Sequence, residues 1–169
     1  AIAAGVSNLV SSLLKLAAKG AVDFIVPLMA DLGSTARAFS QGPQAQSGAT
    51  AFTVAFNNAL RSAINALNPN VRSHIRVFDT FTIGHQIYDN AARFGIANVT
   101  QPCFNATAKT LCGNPDQFFF FDDIHPTAKV HGLIGDQLAL LVTPEPETWG
   151  MMALGLGMLL VWSRRTRRV

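Results

Sequence analysis

Gly20-Ala21-Val22-Asp23-Phe24-Ile25-Val26-Pro27 (residues 20–27) is the stretch that decides the fold. Gly20 stops what precedes it, and Phe24, Ile25 and Val26 form the short continuous apolar run of a strand buried on both faces. Upstream, Val6, Leu9, Val10, Leu13 and Leu14 recur at helical spacing, which predicts an amphipathic helix from Ile2 to about Lys19. Downstream, residues 31–50 are rich in Gly, Ser, Gln and Ala, contain Pro43, and read as a long surface loop. A second helix follows, with Phe52, Phe56, Leu60, Ile64 and Leu67 on one stripe and Asn68-Pro69-Asn70 as its stop. Ile75 to Phe78 repeats the short buried strand, and Phe81 to about Phe94 suits a further helix. Helices and strands that alternate at these lengths predict an α/β domain with a parallel sheet. Residues 95–117 read as irregular, Phe118 to Phe121 as a short strand or a wall of core aromatics, and residues 127–141 as helix again.

A chain of 169 residues that is 49% apolar can bury one ordinary core and a tail, but hardly two cores. It opens on Ala1 inside a helical run, with no basic segment or small-residue cleavage pattern, so it is expected to be the C-terminal portion of a longer protein. The net charge of +3 divides unevenly. Residues 1–143 hold nine Lys/Arg against eight Asp, and the remainder holds four Arg against Glu145 and Glu147. With a nearly neutral body and no basic patch interleaved with aromatics, nucleic acid is not an expected partner.

The densest chemistry lies in Phe121-Asp122-Asp123-Ile124-His125-Pro126-Thr127, on a turn between an apolar run and a helix. Three-residue spacing on a turn can bring the Asp122 carboxylate to the near ring nitrogen of His125. The acid then fixes the tautomer and leaves the other nitrogen as a general base. The plainer alternative is that Asp122 or Asp123 caps the helix beginning near Pro126. His74, His85 and His131 read as surface or packing residues, and no three ligand-type residues have metal spacing. Ser34, after Gly33 beyond a strand end, is the one candidate nucleophile, although Gly-Ser in a loop is mostly turn chemistry. Asn98-Val99-Thr100 and Asn105-Ala106-Thr107 match a glycosylation pattern that is idle in a bacterial host. Cys103 and Cys112 can close a small disulfide loop. The alternative is a reduced pair, and a metal pair is disfavoured because neither belongs to a C-x-x-C.

The stretch from Asn114 to Thr127, with Cys112 before it and His131 after, resembles the last block of SGNH (GDSL-type) hydrolases. Residues 20–27 through Asp31-Leu32-Gly33 resemble that family's later strand and its Pro-x-x-x-Asp-Leu-Gly loop. The spacing of Phe56-Asn57 to Leu60 and of Tyr88-Asp89-Asn90 to Gly95 is also similar, so the resemblance covers residues 1–142. It implies a flavodoxin-like three-layer α/β/α fold with a parallel sheet, N-terminally truncated here, and serine ester hydrolysis without a cofactor. Asp122 and His125 are then the catalytic acid and base. The family's Gly-Asp-Ser nucleophile and Gly-x-Asn-Asp blocks occur nowhere in the 169 residues. The resemblance therefore places the serine in a missing N-terminal part, and leaves as the alternative a non-catalytic exported surface or matrix protein of the same fold. Ester substrates of lipid, acylated-carbohydrate or small aryl type all remain open.

After Val142 the composition changes. Pro144-Glu145-Pro146 precedes an apolar run at residues 149–162 and an end containing Arg164, Arg165, Arg167 and Arg168. The run is short for a membrane span, which needs about 17–25 residues, yet its glycines and terminal arginines suit a thin transmembrane segment with a cytoplasmic positive end. The order of the three parts resembles the PEP-CTERM sorting signal, so residues 143–169 are expected to be a sorting tail. That resemblance implies a Gram-negative exported protein, an exosortase as processing partner, transient anchoring in the inner membrane, and delivery to the envelope or extracellular matrix. Export favours the Cys103–Cys112 bridge, which in the chain-entropy account contributes about 2–3 kcal/mol.

Overall fold

Alternate backbone groups of Phe24–Pro27 (β1) find partners on Ile75–Phe78 (β2) in a parallel pair, with Phe24 opposite Ile75 and Pro27 opposite Phe78. The computed structural model describes residues 1–142 and 150–159. The N–H groups of Phe24 and Leu28 donate to the His74 and Phe78 carbonyls at 2.9 Å. Pro27 has the opposite parity, so its missing donor faces the other edge, where no strand pairs among the described residues. One face of the pair is closed by Ile2–Ala18 (α1) and Pro43–Asn65 (α3), through a core of Val6, Val26, Leu28, Leu60 and Ile64. The other face is not: Ile25 is 39% exposed, beside Arg76 in register. The apolar run of β1 therefore does not mark burial on both faces.

Residues 31–50, expected as a loop, are mostly helical. A 3-10 turn, Leu32–Ser34, leads into Ala36–Gln41 (α2), and α3 begins at once after Gly42. The Thr35 hydroxyl accepts from the Ala38 N–H at 3.2 Å and caps α2. Gly42, at φ 94°, ends it in a conformation that disfavours a side chain, and Pro43 stands in the first turn of α3, where its missing N–H costs no helix bond. The Gly-Pro pair separates two helices. Pro69–Arg72 (α4) likewise starts on a proline, and there the preceding Asn68 caps the helix by accepting from the Asn70 N–H.

A second core gathers around Asn98–Pro102 (β3) and Phe118–Phe120 (β6), a parallel pair with an irregular register. Ile87, Phe119, Phe120 and Val130 fill it from Thr80–Asp89 (α5), β6 and Ala128–Val142 (α6). The helix expected to reach Phe94 gives way after Asp89 to a 3-10 turn, Ala91–Phe94, ended by Gly95 at φ 68°. Residues 95–117, expected as irregular, hold β3 and a small antiparallel hairpin, Phe104–Asn105 (β4) with Thr110–Leu111 (β5). Cys103 and Cys112 are joined in a disulfide at the base of this hairpin. The side chains of Asn98 and Asn105 each accept two backbone N–H groups two and three residues on. The chain is thus mixed α/β, with short parallel strands that form two separate pairs among the described residues. It divides into two compact units, Ala1–Leu138 and Ala139–Val169. In the second, residues 150–159 are helical and exposed. Among the described residues no helix is long and apolar enough to cross a membrane. Residues 149 and 160–162 of the expected span, and Pro144, Glu145 and Pro146, lie outside the described residues.

The loop leaving β1 is held against α3 at van der Waals limits. A Cβ on Gly33 would overlap the Gln46 carbonyl and the Thr50 hydroxyl and lie 2.9 Å from the Thr50 nitrogen. Gly33→Ala should therefore destabilise the chain by about 1–3 kcal/mol in urea unfolding. An unchanged midpoint would show that this packing is not tight.

Candidate active site

The turn after β6 is fixed before its side chains act. The Phe121 N–H donates to the His125 carbonyl at 2.8 Å, and the Thr127 N–H and hydroxyl donate to the Phe119 and Phe118 carbonyls at 2.9 Å each. Thr127, 1% exposed, anchors the chain as it enters α6. Within the turn Asp122 Oδ1 accepts the N–H groups of Ile124 at 2.9 Å and His125 at 2.6 Å. The same carboxylate takes the imidazole Nδ1 of His125, with Oδ2 at 2.8 Å. Asp122 thus holds its own turn and orients the ring together. Burial pushes its carboxyl upward, but the two backbone N–H bonds, the His125 side-chain bond and the His125 charge outweigh this and lower it to about 2.

The imidazole is otherwise open, its side chain 71% exposed, and among the described residues Nε2 has no hydrogen-bond partner. A neutral ring that donates Nδ1–H to Asp122 carries its lone pair on Nε2, the arrangement of a general base. Asp123 does not cap α6. It pairs with Arg37, Nε to Oδ2 at 2.8 Å, while its carbonyl accepts the Arg37 N–H at 2.8 Å. The turn is thereby latched to the first residues of α2.

Loops leaving β1, β2 and β6, all at strand carboxyl ends, meet around a cavity of about 220 Å³ within the first unit. Such ends are where α/β sheets gather functional groups. His125 lies on its wall, as do Asp31, Ser34 and His85. The Asp31 side chain is only 6% exposed and takes donors from Gly33 N–H at 2.9 Å, Ser34 Oγ at 3.0 Å, Thr50 Oγ1 at 2.8 Å and His85 Nε2 at 3.0 Å. The Ser34 hydroxyl is therefore committed to Asp31 and makes no bond to His125. His85, which the sequence presents as a surface or packing residue, belongs to this buried network. The signal for it is positional: Asp31 follows the first parallel strand, and His85 lies in the helix after the second. His74 pairs with Asp23 at 3.4 Å before the strands, and His131 Nδ1 faces the Thr127 carbonyl at 3.1 Å. Burial, then the Asp89 charge, raises the pKa of Tyr88, which lines the cavity and stays a neutral phenol.

No curated protein matches the chain. Residues 142–168 match the PEP-CTERM protein-sorting motif, which indicates an exported protein sorted by an exosortase to the cell envelope or extracellular matrix.

Proposed function

We propose that this chain carries the acid–base pair of a serine ester hydrolase. The carrying observation is the Asp122–His125 contact at 2.8 Å, with the far side of the ring open beside an apolar cavity at the strand carboxyl ends. In the complete protein a serine from outside these 169 residues attacks the ester carbonyl, and its proton passes to His125 Nε2. The imidazolium so formed is stabilised by Asp122. That proton then goes to the departing alkoxide, and water repeats the sequence on the acyl-serine. The resemblance of the sequence from Asn114 to Thr127 to the last block of SGNH hydrolases supports this assignment. In the proposed three-layer α/β/α fold, further parallel strands extend the sheet beyond β1, which among the described residues pairs on one edge only, with β2.

The enzyme is proposed to act outside the cytoplasm of a Gram-negative bacterium, after transient anchoring in the inner membrane by its tail. The sorting motif at residues 142–168 supports that route.

Replacing His125 by Ala in the protein with its whole hydrolase domain should lower ester turnover by roughly 10²–10⁴-fold. Its thermal midpoint should barely move, because the side chain is largely exposed. Unaltered turnover removes the catalytic role, and no turnover in either protein favours the non-catalytic surface protein.

A carboxyl lowered from its ordinary 3.8 to about 2 contributes stability that is fully present above 3.8 and is lost as pH falls through about 2. Carbon-detected NMR titration of Asp122 should give a midpoint near 2. A midpoint at the ordinary value would mean that the three donors do not hold it.

A further inference from the structure

The turn that carries Asp122 and His125 is held from outside by a segment with no part in the hydrolytic steps. Cys103 and Phe104, at the root of the β4–β5 hairpin, donate their N–H groups to the Phe120 carbonyl at 3.0 Å and the Phe121 carbonyl at 2.7 Å. They carry the β3–β6 pairing on to the first residue of the turn. Phe121 in its turn donates to the His125 carbonyl at 2.8 Å, and its ring stacks on that of Phe104 with centroids 6.1 Å apart. A hydrogen-bonded path thus runs from the hairpin root to the backbone of His125.

The hairpin has little to hold it by itself. β4 and β5 are two residues each, and the exposed stretch 106–109 joins them with Lys109 at φ 53°. A two-stranded hairpin of this kind is marginal at best in water. What closes it is the Cys103–Cys112 disulfide, beside the Cys112 N–H bond to the Cys103 carbonyl at 2.8 Å. The sorting motif at residues 142–168 marks an exported chain, and disulfides form and persist chiefly in the oxidising surroundings that export provides.

We propose that the Cys103–Cys112 disulfide is a positioning group for His125, so that the acid–base pair is assembled only once the exported chain has been oxidised. This role rests on His125 being the catalytic base. The redox step is thiol–disulfide exchange. The two cysteine thiols give up two protons and two electrons as the S–S bond forms, and a disulfide donor takes them up as it becomes two thiols. In the reduced chain the hairpin opens, Phe104 leaves Phe121, and Asp122 no longer holds the ring in one orientation.

Nitrogen-15 NMR of the His125 ring, with amide exchange at Phe104, Phe121 and the wholly buried Leu60, tests this in the 169-residue chain prepared with both thiols reduced and then treated with oxidised glutathione. The reduced chain should average between tautomers, and oxidation should bring it to the single form protonated on Nδ1. The Phe104 and Phe121 amides should gain about 10–100-fold in protection relative to that of Leu60. Cys103→Ala combined with Cys112→Ala should average under either condition. The same ring state before and after oxidation overturns the proposal, as does protection that rises equally at Leu60, the mark of a bridge that only stabilises the whole. If the double variant does not fold, Phe104→Pro decides with the bridge intact. It removes the N–H that Phe121 accepts, and a ring that still holds one tautomer contradicts the path. In the protein with its whole hydrolase domain, the double variant should lower kcat about 10–100-fold with KM nearly unchanged. Redox-dependent ring order in a complete protein that hydrolyses no ester keeps the positioning role and removes the hydrolase. Unaltered kcat in the double variant does the reverse.

Discussion

The buried carboxylate of Asp31 is the constraint on which the rest of the site depends. At 6% exposure it cannot rely on water, and an unpaired charge in such a place costs several kcal/mol. The chain meets that cost by bringing donors from three elements to one point: the turn after β1, Thr50 of α3 and His85 of α5. Close approach of the turn to α3 is what requires Gly33. The same face of α3 continues the task. Thr53, wholly buried, accepts the Leu32 N–H at 3.3 Å, and Asn57 pairs with both the N–H and the carbonyl of Met29 at 2.8 Å. Thr50, Thr53 and Asn57 lie three and four residues apart, so one helical stripe replaces the ladder bonds that the exit of β1 lacks.

Polar satisfaction and ligand space are therefore one design. Donors that are turned inward to hold the loop are withdrawn from the cavity, which leaves hydrocarbon facing the space near His125. Asp122 shows the same economy on the opposite loop. Its two backbone acceptor bonds, to Ile124 and His125, form the turn ahead of α6 rather than cap that helix, and its ring bond aims the imidazole.

The legible parts of the fold were those written in local pattern. α1, β1, β2 and the segment around α6 follow from spacing of apolar residues and from Gly20 and Pro69 as punctuation. The region from Asp31 to Thr50 was less legible, because Gly42 and Pro43 break a helix in most contexts and here join two. β3 was hidden for a different reason. Only Val99 in Asn98-Val99-Thr100-Gln101-Pro102 is an aliphatic strand former, and pairing with β6 supplies what propensity does not. Of the site, Asp122 and His125 were visible as neighbours three residues apart, whereas Asp31 and His85 are separated by 54 positions and meet only through the fold.

Asp122 holds His125 with its base nitrogen outward. Nitrogen-15 NMR of the His125 ring in the intact chain, at a pH where the ring is neutral, tests it most directly. A single tautomer is expected, with the proton on Nδ1 and a bare Nε2. A ring protonated on Nε2, or one averaging rapidly between the two forms, would contradict it.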